Sequence, residues 1–249
     1  MKTTFALLIL LTPIFSFASS DKSTEAKKKL SEDPTKVTTT LGVRYGNNYS
    51  LDDSGFTLSG SLALDPARKI NVSVNEDGSE WRVGGSWLFD LGIVNFNFGR
   101  RDFSTGAVQD NYSIGTFLPL SYLGFEPYGI QIFPMAGYSY IDGEQICEVS
   151  SNICPNDNRP TLDPNFVLVN SSAHSGYIGA FALKPLAESL TLIMMSGGAL
   201  GSNNYSGYWF GGGIGYTLLE KHSINAFTYK MDNSYGSDTA FSVSYSYEF

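Results

Sequence analysis

The sequence predicts an all-β fold, a single antiparallel transmembrane β-barrel of about twelve strands. Three observations predict it. Apolar and polar residues alternate with a period of two along most of residues 37–249. Charged residues make up only 16% of the chain, against about 25% in an ordinary soluble domain, while Gly (26), Tyr (15) and Phe (17) are abundant. The charges that exist sit in the connectors and leave the polar strand faces to Ser, Thr, Asn and Gly.

Residues 1–18 read as an export signal. Lys2 supplies the positive start, Phe5 to Phe17 the apolar run, and Ser16-Phe17-Ala18 the small residues of a cleavage site. The run is about 13 residues long and contains Pro13, short of the roughly 20 that a spanning helix needs, so cleavage near Ala18 is expected rather than anchoring. No Cys follows that site to take a lipid. Residues 19–36 form a polar leader containing Lys27, Lys28 and Lys29. A solvated leader is expected. An anionic-lipid patch is the alternative, but so few charges attract a membrane weakly.

From Val37 onward neighbouring side chains point to opposite faces of a strand. Leu41, Val43 and Tyr45 oppose Thr40, Gly42 and Arg44; Phe56, Leu58, Leu62 and Leu64 oppose Thr57, Ser59, Ser61 and Ala63. Trp81, Val83, Trp87 and Phe89 oppose Arg82, Gly84 and Ser86, and Val94, Phe96 and Phe98 oppose Asn95 and Asn97. The last run is the clearest, with Phe241, Val243, Tyr245, Tyr247 and Phe249 against Ala240, Ser242, Ser244, Ser246 and Glu248. Such runs place strands near 37–46, 55–64, 70–76, 81–89, 92–101, 111–120, 127–140, 172–184, 189–199, 207–218, 222–231 and 238–249. That makes twelve. Ten is the alternative, because the third run is short and the ninth and eleventh alternate poorly. Short turns at 65–69, 90–91, 121–126, 185–188 and 220–221 alternate with longer, more acidic connectors at 102–110, 141–171, 200–206 and 232–237; the brief 77–79 is an exception. No internal repeat or second domain is evident.

A soluble barrel or sandwich would turn its polar faces to water and carry Lys, Glu, Arg and Asp there, with charges guarding its edges. Nearly uncharged polar faces suit an enclosed lumen, with the apolar faces against lipid. Lipid offers no hydrogen bonds, so the sheet must close on itself. Sixteen basic against 24 acidic residues argue against nucleic acid as a partner, since phosphate binding needs a basic face.

The export signal, the alternating strands and the final run TAFSVSYSYEF ending in Phe249 resemble bacterial (Gram-negative) outer-membrane β-barrel proteins. The likeness covers residues 37–249 as architecture and identifies no subfamily. It implies a place in the cell outer membrane, with short turns and N-terminus periplasmic and long loops outside. It also implies that Tyr245, Tyr247 and Phe249 serve as the signal read by the barrel-assembly machinery. Outer-membrane lipid and lipopolysaccharide are then the surroundings, and a monomer is expected.

Several residues could carry chemistry. Cys147 and Cys154 lie in the longest loop, and in an oxidising compartment a disulfide is expected. Neither His nor further Cys accompanies them there, so no metal is expected; nor is a cofactor. His174 and His222 invite a lipid A-modifying hydrolase, but Ser175 follows His174 directly, which puts their side chains on opposite faces of a strand. His222 sits at a turn beside Glu220 and Lys221, and no enzyme is expected. Alternation turns Arg44, Arg82 and Arg101 into the lumen near the outer mouth, and Lys184 and Glu248 into it near the other end. The three arginines could select anions. Paired with acids such as Asp52, Asp53, Asp77, Glu80 and Asp102, they would instead help plug the lumen. Bulky Phe133, Met135 and Trp209 also point inward by alternation, and the run Gly211-Gly212-Gly213 is expected to let the sheet curve or to let a bulky neighbour such as Trp209 lie across it. A small passive channel or transport-related barrel for small polar solutes is the leading expectation. A non-conducting structural or surface-interaction barrel acting through the 141–171 loop and a lipid A-modifying hydrolase are the alternatives.

Overall fold

The computed structural model describes residues 29–48, 53–102, 108–148, 158–160, 166–170, 172–234 and 236–249. The export signal, the first part of the leader, Asp52 and Cys154 lie outside these residues. The described strands are β1 (Thr40–Asn48), β2 (Asp53–Ala63), β3 (Arg68–Asn75), β4 (Glu80–Phe89), β5 (Gly92–Asp102), β6 (Val108–Phe117) and β7 (Gln131–Glu148). They continue with β8 (Asn158–Pro160), β9 (Phe166–Asn170), β10 (Ala173–Ala187), β11 (Leu190–Gly201), β12 (Ser206–Leu218), β13 (His222–Asn233) and β14 (Gly236–Glu248).

Twelve of these form one closed antiparallel ring in sequence order, with β8 and β9 lying outside it. The ring closes where β1 pairs with β14, from Thr40↔Glu248 to Asn48↔Ala240. Across the long loop, β7 pairs with β10 from Gln131↔Leu183 to Ile141↔Ala173. Closure leaves no free edge, which a sheet immersed in hydrocarbon cannot tolerate. The short turns and the start of β1 lie at one end with the chain terminus (the terminal end), and the longer connectors lie at the other (the loop end).

Alternation is visible in the exposure of the side chains. Leu58, Val72, Trp87, Phe96, Ile178 and Ile214 all stand on the outer wall and are exposed. Exposed apolar residues on this scale would aggregate in water and are what a lipid-facing wall requires. Rings cross this wall near the loop end. Trp81, Phe98, Tyr112, Tyr140 and His174 succeed one another on neighbouring strands, with centroids 5.2, 4.8, 6.0 and 4.6 Å apart. At the terminal end His222 meets Tyr247, which in turn meets Phe249, each pair 5.0 Å apart. Two aromatic girdles at opposite ends mark the two lipid–water interfaces.

Two departures from the expected strands have local causes. Residues 118–130, expected to continue strands at both ends, instead make two 3-10 turns at Leu120–Leu123 and Pro127–Gly129. Pro119 and Pro127 lack the N–H that a ladder needs. In the other direction, β7 outruns its expected end because Glu144–Glu148 finds a partner in β9, which also pairs with β8. The longest loop therefore begins as a small three-stranded extension of the wall.

Candidate functional site

Inside the ring the lumen divides into two unlike halves. Along β6, β7, β10, β11 and β13 it is filled. Phe133, Leu183 and Ile193 are buried there and pack with Phe117, Phe181, Phe227 and Leu30. Fully burying each such side chain is worth roughly 1.5–3 kcal/mol relative to exposing it to water. Glycines make room for the rings. The indole of Trp209 lies where a Cβ on Gly197 would be, and Phe227 Cδ2 would come within 2.6 Å of a Cβ on Gly213. A bulky ring does lie over this run, but it is Phe227, over Gly211 and Gly213, while Trp209 covers Gly197.

The other half, walled by β14 and β1–β5, encloses a cavity of about 470 Å³. Thr40, Thr57, Ser59, Ser61, Asn71, Ser73, Asn97, Ser244 and Ser246 give it a hydroxyl and amide lining, as their inward position on alternating strands dictates. Four cations face it, Lys36, Arg44, Lys69 and Arg82, against the carboxylate of Asp33. Lys36 is paired with Glu248 at 2.6 Å, and the Lys69 ammonium donates to the Lys36 carbonyl oxygen at 2.7 Å. Arg82 lies 3.9 Å from Glu80, whose other carboxylate oxygen is 3.7 Å from Arg101. Arg44 forms no ion pair among the described residues. Alternation thus places Arg44 and Arg82 on one cavity as expected, while Arg101 lies beside Glu80 rather than in its lining. Of the acids expected to pair with them, Glu80 does so. Asp102 instead takes Arg100, at 3.2 Å, and Asp77 accepts the N–H of Ser79 in its own turn.

Lys69 and Lys36 were not anticipated here. Lys69, expected in a turn, shares the parity of Asn71 and Ser73, and β3 starts at Arg68, two residues before the expected strand. The larger surprise is the leader. Residues 29–36, expected to be solvated, fold inside the terminal end of the ring. Two turns close on themselves, with Asp33 N–H donating to the Leu30 carbonyl and Lys36 N–H to the Asp33 carbonyl. Asp33 Oδ1 accepts from both the N–H and the hydroxyl of Thr35, each at 2.7 Å, and Thr35 is 0% exposed. Leu30 joins the packed half, the Ser31 and Thr217 hydroxyls meet at 3.0 Å, and Lys36 pairs with Glu248. Glu32 lies against Gly215 and Asn225. Burial raises its pKa above the ordinary carboxylate value, against smaller opposing effects from Lys36 and Thr191. Burial lowers the pKa of Lys29, whose ammonium bonds Thr35, and Asp33 partly offsets that.

Lys184 corrects another expectation. Leu183 is the buried, inward residue, and Lys184 lies on the outer wall, its ammonium donating to the Tyr128 carbonyl. The lumen is apolar at that strand, so polarity does not mark the inward face. Glu248 does point inward, as its pairing with Lys36 requires. His174 stands on the outer wall with Tyr138 and Tyr140 against it, and Ser175 is on the opposite face. His222 Nδ1 lies 2.8 Å from the Tyr245 hydroxyl, also on the outer wall. Tyr245 and Tyr247 lie in the last stretch of β14 and Phe249 follows its end, at the terminal girdle. Cys147 is buried in the extension of β7.

Comparison with solved structures finds the same architecture. The chain is similar to the NanC porin at 10% identity, with 84% of this chain and 100% of that one covered and a TM-score of 0.53. It is similar to the translocator domain of the autotransporter NalP from Neisseria meningitidis at 12% identity, covering 88% and 91%, TM-score 0.53. It is also similar to the β domain of the Bordetella autotransporter BrkA at 13% identity, covering 86% and 100%, TM-score 0.53. No protein-family model matches the chain, and no curated protein does. At these identities the likeness is one of fold, and the fold is that of a bacterial outer-membrane β-barrel.

Proposed function

We propose that this outer-membrane barrel is a passive channel for small polar solutes, with a preference for anions. The observation that carries the proposal is the one-sided lumen. Half of it is packed shut, and the other half holds a cavity of about 470 Å³ lined by four cations and one carboxylate, with Lys36 and Arg82 further matched by Glu248 and Glu80. Hydroxyls and amides replace part of a solute's hydration, and cations incompletely matched by acids attract negative charge in a water-poor interior. That volume lies within the roughly 300–1,000 Å³ of typical small-molecule sites. A porin is among the fold neighbours, which agrees with passage, although autotransporter barrels share the architecture. Planar-bilayer recording of the refolded protein tests the proposal. Anion-selective openings are expected, with the reversal potential moving toward the cation value when Arg44 and Arg82 are both changed to Ser. Absence of conductance from every folded form of the barrel, or selectivity indifferent to those changes, would overturn it.

One observation favours a second role alongside or instead of conduction. The loop beyond β7 carries an ordered extension, β7 with β9 and β8, rather than an irregular tether. We infer a surface-interaction role in which a Cys147–Cys154 disulfide stiffens that extension. Such a small loop would contribute on the order of 2–3 kcal/mol. Intact-mass measurement should find both thiols unavailable to alkylation before reduction. Ready alkylation of both would remove the disulfide from the account.

A further inference from the structure

The inward fold of residues 29–36 has a consequence for any passage through the ring. These residues form the terminal-end wall of the polar cavity, to which Ser31, Asp33 and Lys36 contribute. The segment is anchored on several sides at once. Leu30 packs into the apolar half at the Phe133–Leu183–Ile193 cluster. Ser31 bonds Thr217 on β12 and Lys36 bonds Glu248 on β14, while Lys69 on β3 donates to the Lys36 carbonyl. Together these contacts reach the packed half, one strand of the closing seam, and the cationic wall. An unrelated leader passing near a pore would not bury Thr35 to 0% exposure.

We propose that residues 29–36 are a resident plug that closes the terminal end of the lumen, and that the channel opens when this segment leaves its seat. The inference rests on the channel proposed above and adds its regulation. Its fastenings are those of a removable element. Apart from Leu30 and the buried carboxyl of Glu32, the contacts are hydrogen bonds and one ion pair between polar surfaces, which water replaces at modest net cost. Asp33 presents to the basic cavity the same chemical group that an entering carboxylate would present. A bound anion and the seated segment therefore draw on the same wall cation, Lys69, whose ammonium bonds the Lys36 carbonyl oxygen.

A disulfide staple tests the plug in the full-length chain. The Ser31 and Thr217 oxygens are 3.0 Å apart, so Ser31→Cys with Thr217→Cys can join the segment to the wall. Conductance is read in bilayers before and after reduction, with each single variant and the unsubstituted chain as controls for the reductant. A second variant starts the mature chain at Val37, and heat-modifiable gel mobility verifies that its barrel is folded. The plug predicts loss of openings in the stapled, oxidised protein, their return on reduction, and persistent opening of the shortened barrel. If the stapled protein conducts as the unsubstituted chain does, and the shortened barrel is no more open, the plug is refuted while the channel stands. If no form conducts, the folded shortened barrel included, the channel itself is refuted and the plug has nothing to gate.

Discussion

The orientation of the wall is best tested by placing one large polar side chain on each of its faces. Leu58 lies at the centre of β2, between Val43 and Val74, and is 53% exposed on the outside of the ring. Its neighbour Ser59 points into the polar cavity. Leu58→Arg puts a guanidinium against hydrocarbon, with no partner within the strand pair and half the membrane to cross to reach water. The expected cost is about 2–4 kcal/mol, roughly a 30- to 700-fold fall in the folding equilibrium. Ser59→Gln adds polar bulk to a polar lumen and should change stability by less than about 0.5 kcal/mol. Urea titration of protein inserted in lipid vesicles, followed by tryptophan emission, measures both. A water-soluble barrel predicts the reverse order, because a half-exposed Leu accepts Arg readily at an aqueous surface. Equal stability of the two variants, or a Leu58→Arg protein that stays folded without detergent, would refute the lipid-facing assignment.

Two further outcomes follow from the lumen. Phe133 is 1% exposed at the centre of the packed half, so Phe133→Ala should cost about 3–5 kcal/mol in the same titration; a loss below 1 kcal/mol would mean that half of the lumen is wet. Glu32 gives the seated segment a pH dependence. Burial raises its pKa when seated, so the seated state binds that proton more tightly than the released one. Its favourable contribution is complete below the ordinary Glu value near 4.5 and is lost as pH rises through the raised value. Hydrogen exchange of residues 29–36 should therefore quicken with pH beyond its intrinsic trend, and Glu32→Gln should abolish the excess. An unchanged excess in that variant would assign it to another group.

Much of the wall was legible in residue order, because a strand in contact with lipid on one face and water on the other must alternate. That held best from β1 to β5 and in β14, where Leu58, Val72 and Phe96 oppose Ser59, Asn71 and Asn97, and there the placements of Arg44 and Arg82 followed correctly. It failed around Leu183 and Lys184. The lumen is dry at that point, both faces carry apolar residues, and hydrophobicity no longer tells inside from outside. The strand ends at residues 118–130 were misjudged for a simpler reason: Pro119 and Pro127 remove ladder donors, a signal present in the sequence but outweighed by the apolar run around it.

The sequence by itself determined the closed antiparallel ring, its twelve strands and the uncharged lining of one half of the lumen, since all three follow from a two-residue period and from where charge is withheld. Only the tertiary structure decided what fills that interior. The polar residues 29–36 carry no period and lie next to nothing in sequence that would hold them. Their seat is made by Thr217, Glu248, Lys69 and the Phe133 cluster, which closure of the ring brings together from strands as far apart as β3 and β14. Contacts of such range depend on the ring being closed, and no local pattern records them.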